Sequence, residues 1–241
     1  MMERAKNWWR NTISGLREEP GDDTVGIEDP SVIEEFTSDP ENTFLVSFPR
    51  TGSHWLRMLM ELYFERPSLV RIFFYPEETD YLTLHTHDMD LDVERKRVIY
   101  LYREPVATIY SQMQYHGVAL DDVDRIVHWS DLYGRHLAKW LGEESITEQK
   151  TLIRHDRLKT GRANEFAKVC THFSVRFDAD RFERVDEVVT KEKVNEKTRH
   201  NPRVIQKGEA YERKRDHFRE EWGETVLETV FEDRAWLKEY F

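Results

Sequence analysis

The sequence predicts an α/β fold, with a central, mostly parallel sheet flanked by helices. Three observations carry this expectation. Short apolar runs at 44–48, 97–102 and 151–154 end on polar or turn residues, the pattern of strands buried on both faces. Each is followed by a helix-period stretch, at 53–64, at 105–115, and from His155–Asp156 to near Phe173. Strands that alternate with helices pair in parallel, because a crossover helix returns the chain alongside the previous strand. The third observation is size. A chain of 241 residues with 39% hydrophobic and 12% aromatic residues can form one domain with a full core.

The remaining elements fall around that frame. Residues 1–16 read as a helix and 17–31, with Glu-Glu-Pro-Gly-Asp-Asp, as an acidic connection, so 1–41 is expected to pack on or near the core of a single domain over 42–241. A short helix is expected from Ser31 to Thr37, capped by Asp29 or Ser31. Alternation of Leu82, Leu84 and Thr86 predicts a strand near 82–87. Ile126, Trp129, Leu132, Tyr133 and Trp140 mark a helix around 121–141, and Asp216 to Phe241 is helical and aromatic. There are no internal repeats and no low-complexity segments.

Composition excludes several classes. The net charge of −11 argues against general nucleic-acid binding. A single cysteine, Cys170, rules out an intramolecular disulfide framework and fits a reducing compartment. No stretch reads as a secretory leader or approaches the length of a membrane span, so cytoplasmic placement is the expectation. Trp8, Trp9, Ile13 and Leu16, interleaved with Arg4, Lys6, Arg10 and Arg17, would make residues 1–16 a basic amphipathic helix. Such a helix either lies on an anionic membrane surface or packs its Trp pair on the domain or on a second subunit of a homodimer.

The chemistry begins after the first core strand. The run Phe44 to Phe48 breaks at Pro49, passes through Arg50, Thr51, Gly52, Ser53 and His54, and enters a helix carrying Trp55, Leu56, Leu59, Leu62 and Tyr63. Strand, tight loop and helix present backbone N–H groups and a helix N-terminus to a phosphate. Gly52 allows close approach, Thr51 and Ser53 add hydroxyls, and Arg50 adds a fixed charge. The pattern is not a Walker A loop, since Ser53 rather than Lys follows Gly52 and the cation precedes the glycine. A second strand, Arg97 to Tyr102, ends on Arg103. Glu104–Pro105 starts the next helix, with Ser111 eight residues beyond Arg103. Arginine grips phosphate bidentately and a hydroxyl adds a donor; alternatively Arg103 caps a strand and Ser111 is a solvated helix residue.

Pro-Arg-Thr-Gly-Ser-x-Trp at 49–55 resembles the 5′-phosphosulfate loop of the sulfotransferase family, which uses 3′-phosphoadenosine 5′-phosphosulfate (PAPS). Arg103 with Ser111 resembles that family's 3′-phosphate motif. The resemblance implies a three-layer, P-loop NTPase-like architecture. In the family Lys is common where this chain has Arg50, and carbohydrate-type members often have Arg. Thr-His87 falls on the His of a Lys-Thr-His signature, which implies that His87 is the general base and that His85 stands in the place of the Lys. An imidazole suits a base at neutral pH, whereas His-x-His on one strand face can also bind zinc or be ordinary surface. Gln206-Lys207-Gly208 resembles, loosely, an Arg-Lys-Gly segment that closes over the cofactor; Gln206 replaces the Arg, which Arg199 or Arg203 could supply. From Lys191 to Arg219 there are ten Lys or Arg against five Asp or Glu.

The resemblance then implies a division of labour. Arg103, Ser111, Lys207 and Gly208 hold the adenosine 3′-phosphate. Thr51, Gly52, Ser53 and His54 hold the 5′-phosphosulfate, and Trp55 stacks on adenine. Arg50 stabilises the leaving oxygen, His87 takes the acceptor's proton, and 3′,5′-ADP (PAP) is the product. No metal is expected. The acceptor hydroxyl belongs to a glycan or glycolipid, with a small alcohol or phenol as the alternative, and aromatic residues of 71–76 and Tyr115–His116 would line its pocket. Two other readings stand: a P-loop small-molecule kinase, against which Tyr102–Arg103 occupies the place of an expected Asp, and a non-catalytic nucleotide-binding relative.

Overall fold

The apolar runs assemble into one sheet. In a computed structural model describing residues 25–26, 29–142, 147–198 and 208–241, β1 (Val25–Gly26) pairs antiparallel with β4 (Arg71–Ile72). The other five strands are β2 (Thr43–Ser47), β3 (Ser68–Leu69), β5 (Thr83–Thr86), β6 (Arg97–Tyr102) and β7 (Gln149–Arg154). They form a sheet in the order β3-β5-β2-β6-β7, with every neighbouring pair parallel. Phe44 of the central strand faces Leu84 on one side and Val98 on the other. Tyr102, the last residue of β6, is level with Arg154, the last of β7. The expected helix over 1–16, Gln206, Lys207, Arg199 and Arg203 lie outside the described residues.

Helices cover both faces: α1 (Pro30–Ser38), α2 (Ser53–Phe64), α3 (Pro105–His116), α4 (Val123–Leu137), α5 (His155–Thr160), α6 (Arg162–His172), α7 (Ala179–Val188), α8 (Lys191–Lys197) and α9 (Glu209–Phe231). Strand periodicity divides the core in two. Phe44, Val46, Val98, Tyr100 and Tyr102 point to the face packed by α1, α3, α4 and α9. Leu45, Ile99, Leu101 and Ile153 point to the face packed by α2, α6, α7 and α8. The result is three layers, as expected. Ile33 and Phe36 of α1 belong to the first core, so this helix, capped by Asp29, is part of the domain's packing.

Several boundaries differ from expectation. The single helix expected from His155 to near Phe173 is two, broken at Gly161. The helix expected around 121–141 ends at Leu137 and continues as a π-helical turn, Ala138–Gly142. The C-terminal helix begins earlier, at Glu209, and gives way to a 3₁₀ turn, Ala235–Tyr240. α9 approaches α4 so closely that a Cβ on Gly134 would stand 2.6 Å from the Val230 carbonyl oxygen.

One buried ionic feature shapes the edge beside α2. Glu61 is fully buried, and its carboxylate accepts hydrogen bonds from the backbone N–H groups of Ser68 (3.2 Å), Phe73 (2.9 Å) and Phe74 (3.1 Å). Burial raises its pKa, opposed by the neighbouring Arg57 guanidinium and these N–H donors. Arg57 in turn donates to the Arg71 carbonyl and lies over the Phe73 ring. Removing one partner of a buried charged set leaves the others uncompensated. Glu61→Ala is therefore expected to cost about 3 kcal/mol or more in a urea titration; an unchanged midpoint would contradict this anchoring role.

Candidate active site

The carboxyl ends of β2, β5, β6 and β7 lie along one edge of the sheet, where open parallel sheets form ligand crevices. After β2 the chain turns through Arg50, at a left-handed φ of 70°, and Gly52, at φ 96°. Gly52 is the N-cap of α2, and no side chain among the described residues caps that terminus. Its carbonyl accepts from the Trp55 and Leu56 N–H groups at 3.2 and 3.4 Å. A helix start at a glycine turn is the arrangement whose first N–H groups can receive an anion. A Cβ at Gly52 would also stand 2.6 Å from Cδ2 of His155. Backbone conformation and a neighbour both require glycine here.

Thr51 departs from expectation as a hydroxyl donor. Its Oγ1 donates at 2.8 Å to the Phe48 carbonyl and the residue is 1% exposed, so the hydroxyl closes the loop. Ser53 opens α2 and is buried. His54 packs edge-on against Phe73, and burial, with Arg57 and Arg71 nearby, holds its pKa well below the usual range. Trp55 has the Arg162 guanidinium 4.9 Å over its ring and His155 at its edge.

Arg50, Arg103 and Ser111 come together. The Arg50 Nε donates to Ser111 Oγ at 3.3 Å, and its guanidinium lies 4.7 Å above the Tyr115 ring. Arg103 Nη1 donates to the Arg50 carbonyl at 3.1 Å. The Tyr133 hydroxyl clasps the Arg103 backbone, donating to its carbonyl at 2.6 Å and accepting from its N–H at 3.1 Å. Arg103 Nε is buried and has no hydrogen-bond partner among the described residues. A buried guanidinium donor left open beside an uncapped helix start and a glycine turn fits a phosphate-bearing ligand. Burial lowers the Arg50 pKa, and the nearby Arg103 adds to the effect.

His87 lies one residue past the end of β5. Its Nδ1 is 2.7 Å from the Ser47 carbonyl oxygen, which can only accept, so Nδ1 carries the proton and Nε2 keeps its lone pair. Burial lowers its pKa, offset in part by the Ser47 carbonyl and by Asp88. His85 hydrogen-bonds the Ser47 hydroxyl at 3.0 Å, and the two imidazoles meet edge to face with centroids 4.8 Å apart. Among the described residues, no group of three or more His, Cys, Asp or Glu could hold a metal ion. Gly208 is the N-cap of α9, at φ 104°.

Sequence reasoning missed two residues at this edge. His155, 7% exposed, follows β7 and sits against Gly52; burial pulls its pKa down to about 4. Asp156 is drawn to about 2, first by His155 and then by Arg103 and Lys159. Lys159, on the turn of α5 behind them, has its pKa lowered by burial and by Arg103, with Lys191 and Arg215 also contributing. A basic cluster thus gathers from β6, α5, α8 and α9 in an acidic chain. The available signal was positional: His155 follows its strand as Arg103 follows the adjacent one.

No protein-family model matches the sequence, and no curated protein matches it. Solved structures do. A sulfotransferase domain from the curacin biosynthetic pathway matches with 14% identity over 77% of this chain and 98% of its own, at a TM-score of 0.45. The mouse sulfotransferase SULT7A1, complexed with PAP, matches with 13% identity over 88% of this chain and 93% of its own, at a TM-score of 0.60. Its likeness, together with the five-stranded parallel sheet and the helices on both its faces, shows that this chain has the sulfotransferase fold.

Proposed function

We propose that the chain is a PAPS-dependent sulfotransferase acting on an acceptor hydroxyl. The observation that carries this reading is the junction of two phosphate grips: Arg50, from the loop after β2, bonds Ser111, while Arg103, from the end of β6, bonds the Arg50 carbonyl. The PAP complex of the mouse sulfotransferase of this fold supports PAP and PAPS as ligands.

When bound, PAPS supplies an activated sulfonate that passes to the acceptor oxygen as PAP departs. Arg103 and Ser111 hold the 3′-phosphate, assisted by Lys207 and by Gly208, the N-cap of α9. The N–H groups of Thr51, Gly52, Ser53 and His54 hold the 5′-phosphosulfate, and Trp55 offers a ring face to adenine. Arg50 opposes charge building on the bridging oxygen, a permanent cation placed where charge develops. His87 receives the acceptor proton at Nε2, with Nδ1 fixed on Ser47. His85, on the Ser47 hydroxyl, holds the same strand end. Phe74, Tyr115 and His116 would line the acceptor side, which suits the apolar face of a sugar ring; a glycan or glycolipid hydroxyl is the favoured acceptor. No helix among the described residues is long and apolar enough to cross a membrane.

Calorimetric titration with PAP, with AMP and ATP–magnesium as controls, tests the reading. Wild type is expected to prefer PAP, and Arg103→Ala to weaken it about 10- to 100-fold, the loss of a charge-assisted contact. Preference for ATP–magnesium would overturn the proposal in favour of a kinase. PAP binding without transfer to any acceptor in a screen with labelled PAPS would favour a non-catalytic relative.

A further inference from the structure

We propose that His136, backed by Tyr100, is a positioning residue for His87, holding that residue's backbone so that its imidazole Nε2 faces the acceptor side. The inference rests on the sulfotransferase reading for its consequence in catalysis, though not for its geometry.

His87 stands where a chain would ordinarily be loose. It is outside the ladder of β5, and the next residue, Asp88, is a non-glycine at a left-handed φ of 39°. One side of it is fastened by the Nδ1 bond to Ser47. The other is fastened by His136, whose Nε2 lies 2.8 Å from the His87 carbonyl oxygen. A carbonyl only accepts, so Nε2 of His136 carries the proton and Nδ1 is bare. That bare nitrogen is 2.8 Å from the Tyr100 hydroxyl, which therefore donates to it. The chain of donors runs from the phenol on β6 through the imidazole on α4 to the carbonyl of His87, and each link dictates the tautomer of the next.

Among the described residues, the pair has one outward hydrogen bond, to the His87 carbonyl. His136 and Tyr100 are both 0% exposed. Phe48, Tyr100 and Trp140 pack around the imidazole with ring centroids at 5.5, 5.5 and 6.4 Å. Two polar rings are thus buried among aromatics, at a desolvation cost an apolar pair would not bear. Their outward hydrogen bond goes to the residue carrying the proposed base. Burial keeps His136 neutral, with a pKa of about 4, and keeps the Tyr100 phenol protonated, so the arrangement persists through neutral pH.

The test reads His87 directly. In histidine-¹⁵N-labelled protein, NMR is expected to show wild-type His87 as the Nδ1–H tautomer and His136 as Nε2–H. His136→Leu, which removes the donor, is expected to give His87 a tautomer mixture. It should also slow PAP release from PAPS, with water as acceptor, by at least about tenfold, while PAP affinity stays within about threefold. His136→Gln, whose amide can still donate to the carbonyl, should restore the tautomer and most of the rate. If the leucine variant does not fold, Tyr100→Phe carries the same comparison, with a mixed His136 tautomer and a partial loss of rate expected. A single Nδ1–H tautomer of His87 in His136→Leu and Tyr100→Phe, with unchanged turnover, would overturn the inference and leave the sulfotransferase reading intact. Equal loss of rate and PAP affinity, unrescued by glutamine, would also overturn it, reducing His136 to a structural role. Absence of PAP binding in wild type would sink the functional reading instead, while the tautomer comparison still decides the positioning.

Discussion

Arg50→Ala is expected to slow transfer from PAPS by about 10²- to 10³-fold, the usual cost of removing one preorganised group at a developing charge, while PAP binds within about tenfold of wild type. The inequality follows from placement. Arg50 sits between the loop and Ser111 with its guanidinium over Tyr115, so it is held for one position and meets charge that grows only as the bridging oxygen departs. Ground-state grip falls chiefly to Arg103 and the N–H groups of the loop. Arg50→Lys keeps the charge but loses the fixed Nε donor to Ser111, so its rate should lie between the other two. Rates of PAP release from labelled PAPS, with parallel calorimetry, decide it. A rate within about threefold of wild type for Arg50→Ala would remove Arg50 from the mechanism.

Acid is expected to unfold the protein between about pH 6 and pH 4. His136, His155 and His172 are all held near pKa 4, in each case mainly by burial. Unfolded histidine titrates near 6.5. Above that value native and unfolded chains both hold these imidazoles neutral, and no stability is lost. Below it the unfolded chain binds protons that the native one refuses, so stability falls until the native pKa is reached. At about 1.4 kcal/mol per pKa unit, each histidine accounts for about 3 kcal/mol by pH 4, and three together approach the whole stability of a typical domain. His172 is bonded on both nitrogens, to Thr43 at 3.1 Å and Thr151 at 2.9 Å, so its neutral imidazole is fully satisfied where it is buried. Urea midpoints measured from pH 7.5 to 4.5 should drop steeply below 6.5; a flat profile would contradict the neutral burial of all three.

Much of the site was legible because its parts are local. The run Phe44 to Tyr63 carries strand, loop and helix in one stretch, and its apolar periodicity marks the limits of α2 at Ser53 and Phe64. The same holds for β6 and the start of α3 at Pro105, where Glu104 caps the helix by accepting from Val106 and Ala107 N–H. What sequence left out depends on register. His155 enters the crevice only because β7 lies parallel beside β6 with Arg154 level with Tyr102. His136 reads as one more polar residue on a helix, and its partners Tyr100 and His87 are reached only through the packing of α4 on the sheet. The inward turn of the Thr51 hydroxyl is equally a matter of local closure that a motif cannot express. Two-residue strands such as β3 and β4 carry no periodicity at all.

The strand order also sets a constraint on synthesis. β2 is the middle of the sheet but the first of its five strands to leave the ribosome, and its ladder partners Leu84 and Val98 follow long after Phe44. Until residue 86 has emerged, a nascent chain carries this strand, with Phe44, Leu45 and Val46 at its centre, with unpaired N–H and C=O groups on both edges, and one edge stays open until residue 102. Such non-local pairing is slow to form, because loop closure precedes any reward from contact. Fragments ending between Phe64 and Arg97 should therefore be the aggregation-prone products of this chain, and holding chaperones would be needed in that interval.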